Sequence, residues 1–478
     1  MKAVVAFFIG LLFTTNLLVA QNVDRSKPPA PEAPRNLVVP KLESFTLKNG
    51  VKVFYLQKMG VPHVSIMLRS NGGTANDPED KVGLATAMAT LMRDGAGSRN
   101  ALELSDEIDY LGIMLQSYAS ADEVSVGLFT PVSRLDAALD LMRDVALKPR
   151  FEAAEWERRQ RESLVALAQA HDEARIIANS AFNQLIYGKN HPFARRSTEA
   201  SLKKITLADI QAFYRQTVTA ANSTFLVVGE VSKATIKAKL EARFGLWKGG
   251  VLKKVAIPDP PKTTGRTIYM IDKPGAAQTE LRFGSAGVKR STPDYFAITV
   301  MNTILGGSFS SRLNQNIRET HGFAYGANSG FSFPRSVGHF IASSAVQTDV
   351  TDKAVTEFVK ELTNIRSVKD DEVTRARNYE ALGYPENFGT VSAIAANVSE
   401  KITHNLPDDY FSAYVPNILG VTKAQIERAA QQYVNPDNMV VVMVGDFSKI
   451  RAGVEALNLG TIKVLTKEDV LGAIPVLK

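Results

Sequence analysis

Apolar residues alternate with polar ones at Val64, Ile66 and Leu68, and again at Val124, Val126 and Leu128. A period of two marks half-buried strands. Elsewhere the period lengthens. Leu135, Leu139, Met142, Val145 and Ala146 lie on one stripe of a helix that Ser133 can cap and Pro149 stops. A second helix is expected from Glu152 to Ala170. Interleaved strands and helices point to an α+β sandwich with helices covering one face of a sheet.

The pattern then repeats. Thr206–Lys233 and Thr422–Lys449 align without a gap at an offset of 216, with 10 identities in 28 positions. The identities include Thr206/Thr422, Asn222/Asn438 and Gly229/Gly445. Each copy reads as a helix, a turn, a buried strand and a glycine stop. A period this long means two duplicated domains rather than a solenoid. The boundaries expected are 41–248 for the first, 266–462 for the second and 463–478 for a tail. Between the domains, Gly249–Gly265 is rich in Gly, Pro and Lys and reads as a linker.

The beginning of the chain is of another kind. Lys2 precedes an apolar run from Ala3 to Phe13, and Ala20 is a small residue at a plausible cleavage point. Residues 1–20 are therefore expected to be a signal peptide, with an uncleaved anchor as the alternative. The apolar run is shorter than the ~20 residues a membrane span needs. Five prolines in 21–40 make an extended leader. Export, most simply to a periplasm, is the expected location. No stable membrane span is expected after cleavage.

Composition removes several classes. There are 56 Lys and Arg against 49 Asp and Glu, for a net charge of +7 over 478 residues. That is too dilute for a nucleic-acid face. The count of Cys is 0, so disulfides, thiolate metal sites and cysteine nucleophiles are excluded. A zinc peptidase needs two imidazoles one helical turn apart with a carboxylate beside them. The 6 histidines are His63, His171, His191, His321, His339 and His404, and no two are neighbours.

The surroundings of such a motif are nevertheless present in 70–99 (SNGGTANDPEDKVGLATAMATLMRDGAGSR). This stretch resembles the start of the insulinase/pitrilysin-type zinc metallopeptidase family, which includes the mitochondrial processing peptidases. Gly83-Leu84-Ala85 opens the helix that in the family carries H-x-x-E-H. Thr86 and Thr90 stand where the histidines would be, and Ala89 stands for the glutamate base. The family's further Glu ligand falls near Ala166 and Leu167. Leu111-Gly112, Asn190-His191-Pro192-Phe193 and Val227-Val228-Gly229-Glu230 extend the resemblance from about Lys41 to Leu459.

Residues 305–325 (LGGSFSSRLNQNIRETHGFAY) resemble the family's second-domain signature. Ser308, Ser310 or Ser311 can cap a helix here, Gly322 ends it, and Ala324-Tyr325 starts a strand. Arg318 and Tyr325 match an Arg and a Tyr that in the family reach a zinc site, where a guanidinium and a phenol can stabilise an oxyanion. The alternative is a surface Arg318 paired with Glu319 and a Tyr325 packed in its strand.

The resemblance implies two homologous sandwich domains, each a mostly antiparallel sheet, forming a clamshell. It implies a subunit with no cofactor of its own, paired with a homologous H-x-x-E-H subunit that holds the zinc. Family substrates add a strand to a sheet edge, here Gln116-Ser117-Tyr118. Ordinary strand packing is the other reading of those three residues. Two competing functions follow: a partner-dependent peptidase subunit, or a structural protein of the same fold. A third, an autonomous enzyme using other residues, requires a tightly held zinc.

Overall fold

A computed structural model describes residues 41–253 and 255–477. The expected signal peptide and leader lie outside the described residues. The first half supplies β1 (Glu43–Thr46), β2 (Lys52–Gln57), β3 (His63–Asn71), β4 (Met114–Ala119), β5 (Glu123–Pro131) and β6 (Ser223–Gly229). The second supplies β7 (Thr267–Asp272), β8 (Gln278–Ala286), β9 (Ala324–Phe331), β10 (His339–Gln347), β11 (Val440–Gly445) and β12 (Thr461–Leu465).

Two six-stranded sheets result, ordered β1-β2-β6-β3-β5-β4 and β12-β7-β11-β8-β10-β9. In each, one inner pair is parallel, β2 with β6 and β7 with β11. The strands from β6 to β4 and from β11 to β9 are antiparallel throughout. The sheets differ at one edge: β1 joins antiparallel from the N-terminal side, whereas β12 joins parallel from the C-terminal side. Of the residues expected as a tail, 463–465 complete β12 and Lys467–Leu471 form a helix.

The duplicated segments fold alike for local reasons. Thr206 accepts from the Asp209 N–H and the Asp209 carboxylate accepts from the Thr206 N–H, at 3.2 and 2.9 Å. Thr422 and Gln425 repeat this reciprocal cap at 3.3 and 2.7 Å. Such boxes satisfy two backbone donors that a helix start leaves without partners. Ser133 does not cap: it lies inside a 3-10 turn, and the helix Leu135–Leu147 starts after Arg134 without a side-chain cap.

The central strands β6 and β11 are buried on both faces, and the second face is covered by the opposite half. On β6, Phe225 and Val227 pack into the first half's core. Leu226 and Val228, pointing the other way, join the second half's core with Ile394, Ala395 and Val398 of the helix Val391–Thr403. The helix Ala174–Tyr187 does the reverse, setting Ile177, Phe182 and Ile186 against Val442 and Val444 of β11. Each of these Val, Leu, Ile and Phe side chains contributes ~1.5–3 kcal/mol by burial. Polar contacts finish the exchange. Gln184 donates to the Val470 carbonyl at 2.7 Å, and Arg282 donates to Asn179 at 2.9 Å. Buried Arg69 donates to Glu123 at 2.6 Å and to Thr403 at 2.5 Å.

Candidate functional site

The helix Leu84–Met92 follows β3 and opens on Gly83, whose φ of 107° suits glycine. A Cβ there would meet the Ser197 hydroxyl at 2.6 Å. The Asp77 carboxylate accepts from the Gly83 and Ala85 N–H groups, both at 2.8 Å, and so holds the first turn. Burial raises Asp77 to about 6, against the pull of those same backbone bonds.

Across from this helix runs the helix Ala153–Ala170. Between them lies a cavity of ≈ 400 Å³ whose lining includes Thr86, Thr90, Trp156, Glu162, Ala166 and Leu167. The positions singled out from sequence therefore do converge: both threonines face the two residues where the family's further Glu would lie. Ala89 is turned into the core. Glu162 is already engaged, with Arg158 at 2.7 Å and Arg159 at 3.0 Å. Slight burial opposes its ionisation, but the two guanidinium groups outweigh it and hold the carboxyl below its usual range.

This donor set does not suit zinc, which takes nitrogen, thiolate or carboxylate ligands, three of them in a catalytic site. Four hydroxyls (Thr86, Thr90, Ser163 and Ser197), an indole, a guanidinium, alkyl groups and one ion-paired carboxylate surround the space. Among the described residues, no three His, Asp or Glu side chains gather to hold a metal.

The expected strand edge sits beside the same helix. β4 is the outer strand of its sheet. Gln116 is exposed and Ser117 is half-buried, its hydroxyl 3.8 Å from the Met92 sulfur. Tyr118 is exposed, with its hydroxyl 3.9 Å from the Met67 sulfur.

Arg318 and Tyr325 lie elsewhere. Ser311 occupies the helix N-cap, but its buried hydroxyl finds no partner. After one α-turn the chain widens into a π-helix over Gln315–Thr320. The His321 N–H reaches back to the Asn316 carbonyl at 3.1 Å. Such wide turns are uncommon and recur at functional sites. Arg318 stands on this turn. Its guanidinium pairs with Glu319 at 3.2 Å and lies 4.7 Å from the ring centre of exposed Phe309. Tyr325 is the second residue of β9, the outer strand of the second sheet, and is 91% exposed. It is in the strand but not packed there. Neither residue lines the Thr86–Thr90 cavity. The π-turn had no sequence signal, since over six residues the apolar spacing of an α-turn and a wider one coincide.

Comparisons with known proteins bear on the family and the fold. A profile described as Insulinase (Peptidase family M16) matches residues 52–191, and one described as Peptidase M16 inactive domain matches 204–379. An uncharacterized zinc protease of Mycobacterium leprae is 26% identical over 286 residues, covering 59% of this chain and 63% of that protein. The chain thus spans less than two thirds of that relative's length. The non-peptidase homolog YmxG of Helicobacter pylori is 23% identical over 391 residues, covering 80% of this chain and 88% of that one. Among solved structures, a peptidase M16 inactive domain from Pseudomonas fluorescens superposes with a TM-score of 0.77 at 23% identity, covering 85% of this chain and 98% of its own. The periplasmic protease PqqL from Escherichia coli gives 0.72 at 17% identity, covering 93% of this chain and 49% of its own. Among the described residues, no helix is long and apolar enough to cross a membrane.

Proposed function

Because this chain belongs to the insulinase family, peptidase M16, we propose that it acts as the non-metal subunit of a two-chain zinc peptidase. In this reading Arg318 and Tyr325 serve a partner's active site in peptide degradation or processing. The observation that carries the proposal is the contrast between two places. Where the family holds zinc, Thr86, Ala89, Thr90 and Leu167 offer no ligand set. Where the family keeps its Arg and Tyr, a guanidinium stands on a π-turn and a phenol is almost fully exposed.

The Tyr325 O–H and the Arg318 guanidinium donate to the carbonyl oxygen of a bound peptide and stabilise the charge that grows on it. The free edge of β4, at Gln116, Ser117 and Tyr118, accepts the peptide as an added strand. A zinc ion bound to a partner's H-x-x-E-H residues would activate the attacking water. Periplasmic residence after removal of residues 1–20 belongs to the same proposal.

The test is reconstitution. The purified chain alone is expected to show no peptidase activity. Mixed with an H-x-x-E-H homologue it should support cleavage, and Arg318→Ala or Tyr325→Phe should lower kcat by ~10²-fold, the scale of losing one oxyanion donor. Full activity in both variants sinks the reading.

A second reading, an assembly protein of the same fold with no catalytic part, is favoured by the Arg318–Glu319 pair, which already occupies the guanidinium. It predicts a stable complex whose cleavage rate is indifferent to both substitutions.

A further inference from the structure

A cavity of ≈ 340 Å³ lies where the two halves meet under the linker. Its walls come from equivalent places in the duplication. Asn71 and Gly72 end and follow β3, and Lys289 comes shortly after β8. Asp122 is in the β4–β5 turn, and Arg335 and Ser336 are in the β9–β10 turn. The linker closes it with Leu252, Val255 and Ile257. This roof is tightly seated, since a Cβ on Gly72 would lie 2.2 Å from Leu252.

Three groups facing this space are incompletely satisfied. Ser336 is 8% exposed, and its hydroxyl has no hydrogen-bond partner. Asp122 is half-buried, and the Arg335 charge and backbone N–H favour its ionised form, but among the described residues no cation lies within ion-pair distance of it. Burial is the largest influence on its carboxyl and raises it above its ordinary value. Lys289 has only a loose contact with Asp259 at 3.4 Å. Arg335 is committed to Glu123 and Asn71 at 3.3 and 3.1 Å. The cavity therefore offers an anionic acceptor, a cationic and hydroxylic donor pair, and an apolar roof. Its volume falls at the small end of the ~300–1,000 Å³ range of ligand pockets.

We infer that this cavity is a binding site for a small zwitterion with an apolar side chain, an amino acid or dipeptide. Its ammonium group pairs with Asp122 and its carboxylate pairs with Lys289 and Ser336. A ligand here touches both halves and the linker at once, so it favours the arrangement in which they meet. The inference does not depend on the peptidase reading.

Titration calorimetry of the full chain with Leu-Leu, N-acetyl-Leu-Leu and Leu-Leu amide tests it. Saturable binding of Leu-Leu is expected, weakened at least tenfold by blocking either end. Asp122→Asn should remove the preference for the free amine, and Lys289→Gln the preference for the free carboxylate. The second variant is read alone if the first does not fold. No saturable heat with Leu-Leu at millimolar concentration overturns the inference. So does equal affinity for the blocked peptides, or an unchanged preference in a folded variant.

Discussion

In the first half, the helices Leu84–Met92 and Ala153–Ala170 face each other across a cavity of ≈ 400 Å³. In the second half, the helices Tyr295–Leu305 and Asp370–Gly383 close on each other. There the Thr303 hydroxyl donates to Glu380 at 2.5 Å, and Tyr414 donates to the same carboxylate from 3.5 Å. Burial raises Glu380 above its ordinary value, and the two hydroxyls pull it back. The first half thus has hydroxyls with no carboxylate free to receive them, and the second has a carboxylate that hydroxyls satisfy. Duplication preserved the helix pairs. What lies between them diverged because the sheets and the exchanged helices, not these gaps, carry the burial that holds the fold.

That comparison can be broken most forcefully at the exchanged helices. Ile177 and Ile394 are both 0% exposed, and each packs on the opposite half's sheet. Ile177→Ala and Ile394→Ala should each cost ~2–5 kcal/mol. Chemical denaturation should still show one cooperative transition for either variant. Two separated transitions would mean that the halves stand independently and the exchange couples nothing.

A somewhat smaller effect distinguishes two matching positions. Glu123 begins β5 and His339 begins β10. Glu123 anchors a charged contact to Arg335 of the second half. His339 instead is half-buried, with Nδ1 2.9 Å from the Tyr187 hydroxyl of the first half. Burial pushes its imidazole down from 6.5 to about 4. The folded state therefore binds fewer protons than the unfolded chain between those values. The stability it contributes is complete above pH 6.5 and is lost as the pH falls towards 4, by about 3 kcal/mol at ~1.4 per unit. Denaturation midpoints at pH 7 and 4.5 should differ accordingly, and His339→Gln should flatten that part of the difference.

The smallest effect concerns the repeated caps. Thr206→Ala and Thr422→Ala should cost ~1 kcal/mol each. The two losses should add in the double variant, because the sites share no partner. Thermal unfolding that shows one cap silent would reveal that the halves do not depend equally on the same local signal.

The repeat at offset 216 was legible because caps, buried strands and glycine stops are local features. A threonine three residues before Asp209 or Gln425 needs no distant partner to mark a helix start. The absence of a zinc motif was equally plain, since an imidazole cannot be supplied by folding. The cavity between the helices was partly legible: the resemblance placed Ala166 and Leu167 opposite Thr86 and Thr90, and the structure brings them together. Ser133 was misread as a cap because a 3-10 turn intervenes, a choice set by how β5 meets its helix.

The chain by itself determined its duplication, the alternating strands at Val64–Leu68 and Val124–Leu128 and the missing H-x-x-E-H motif, all of which rest on residue type and short-range periodicity. The tertiary structure decided which half covers which sheet. It also decided that β12 completes the second sheet and that Arg318 rides a π-turn apart from the cavity. It brought five separate stretches around one space beneath the linker. Those outcomes depend on pairing residues far apart in sequence, and an apolar face carries no mark of the partner that will bury it.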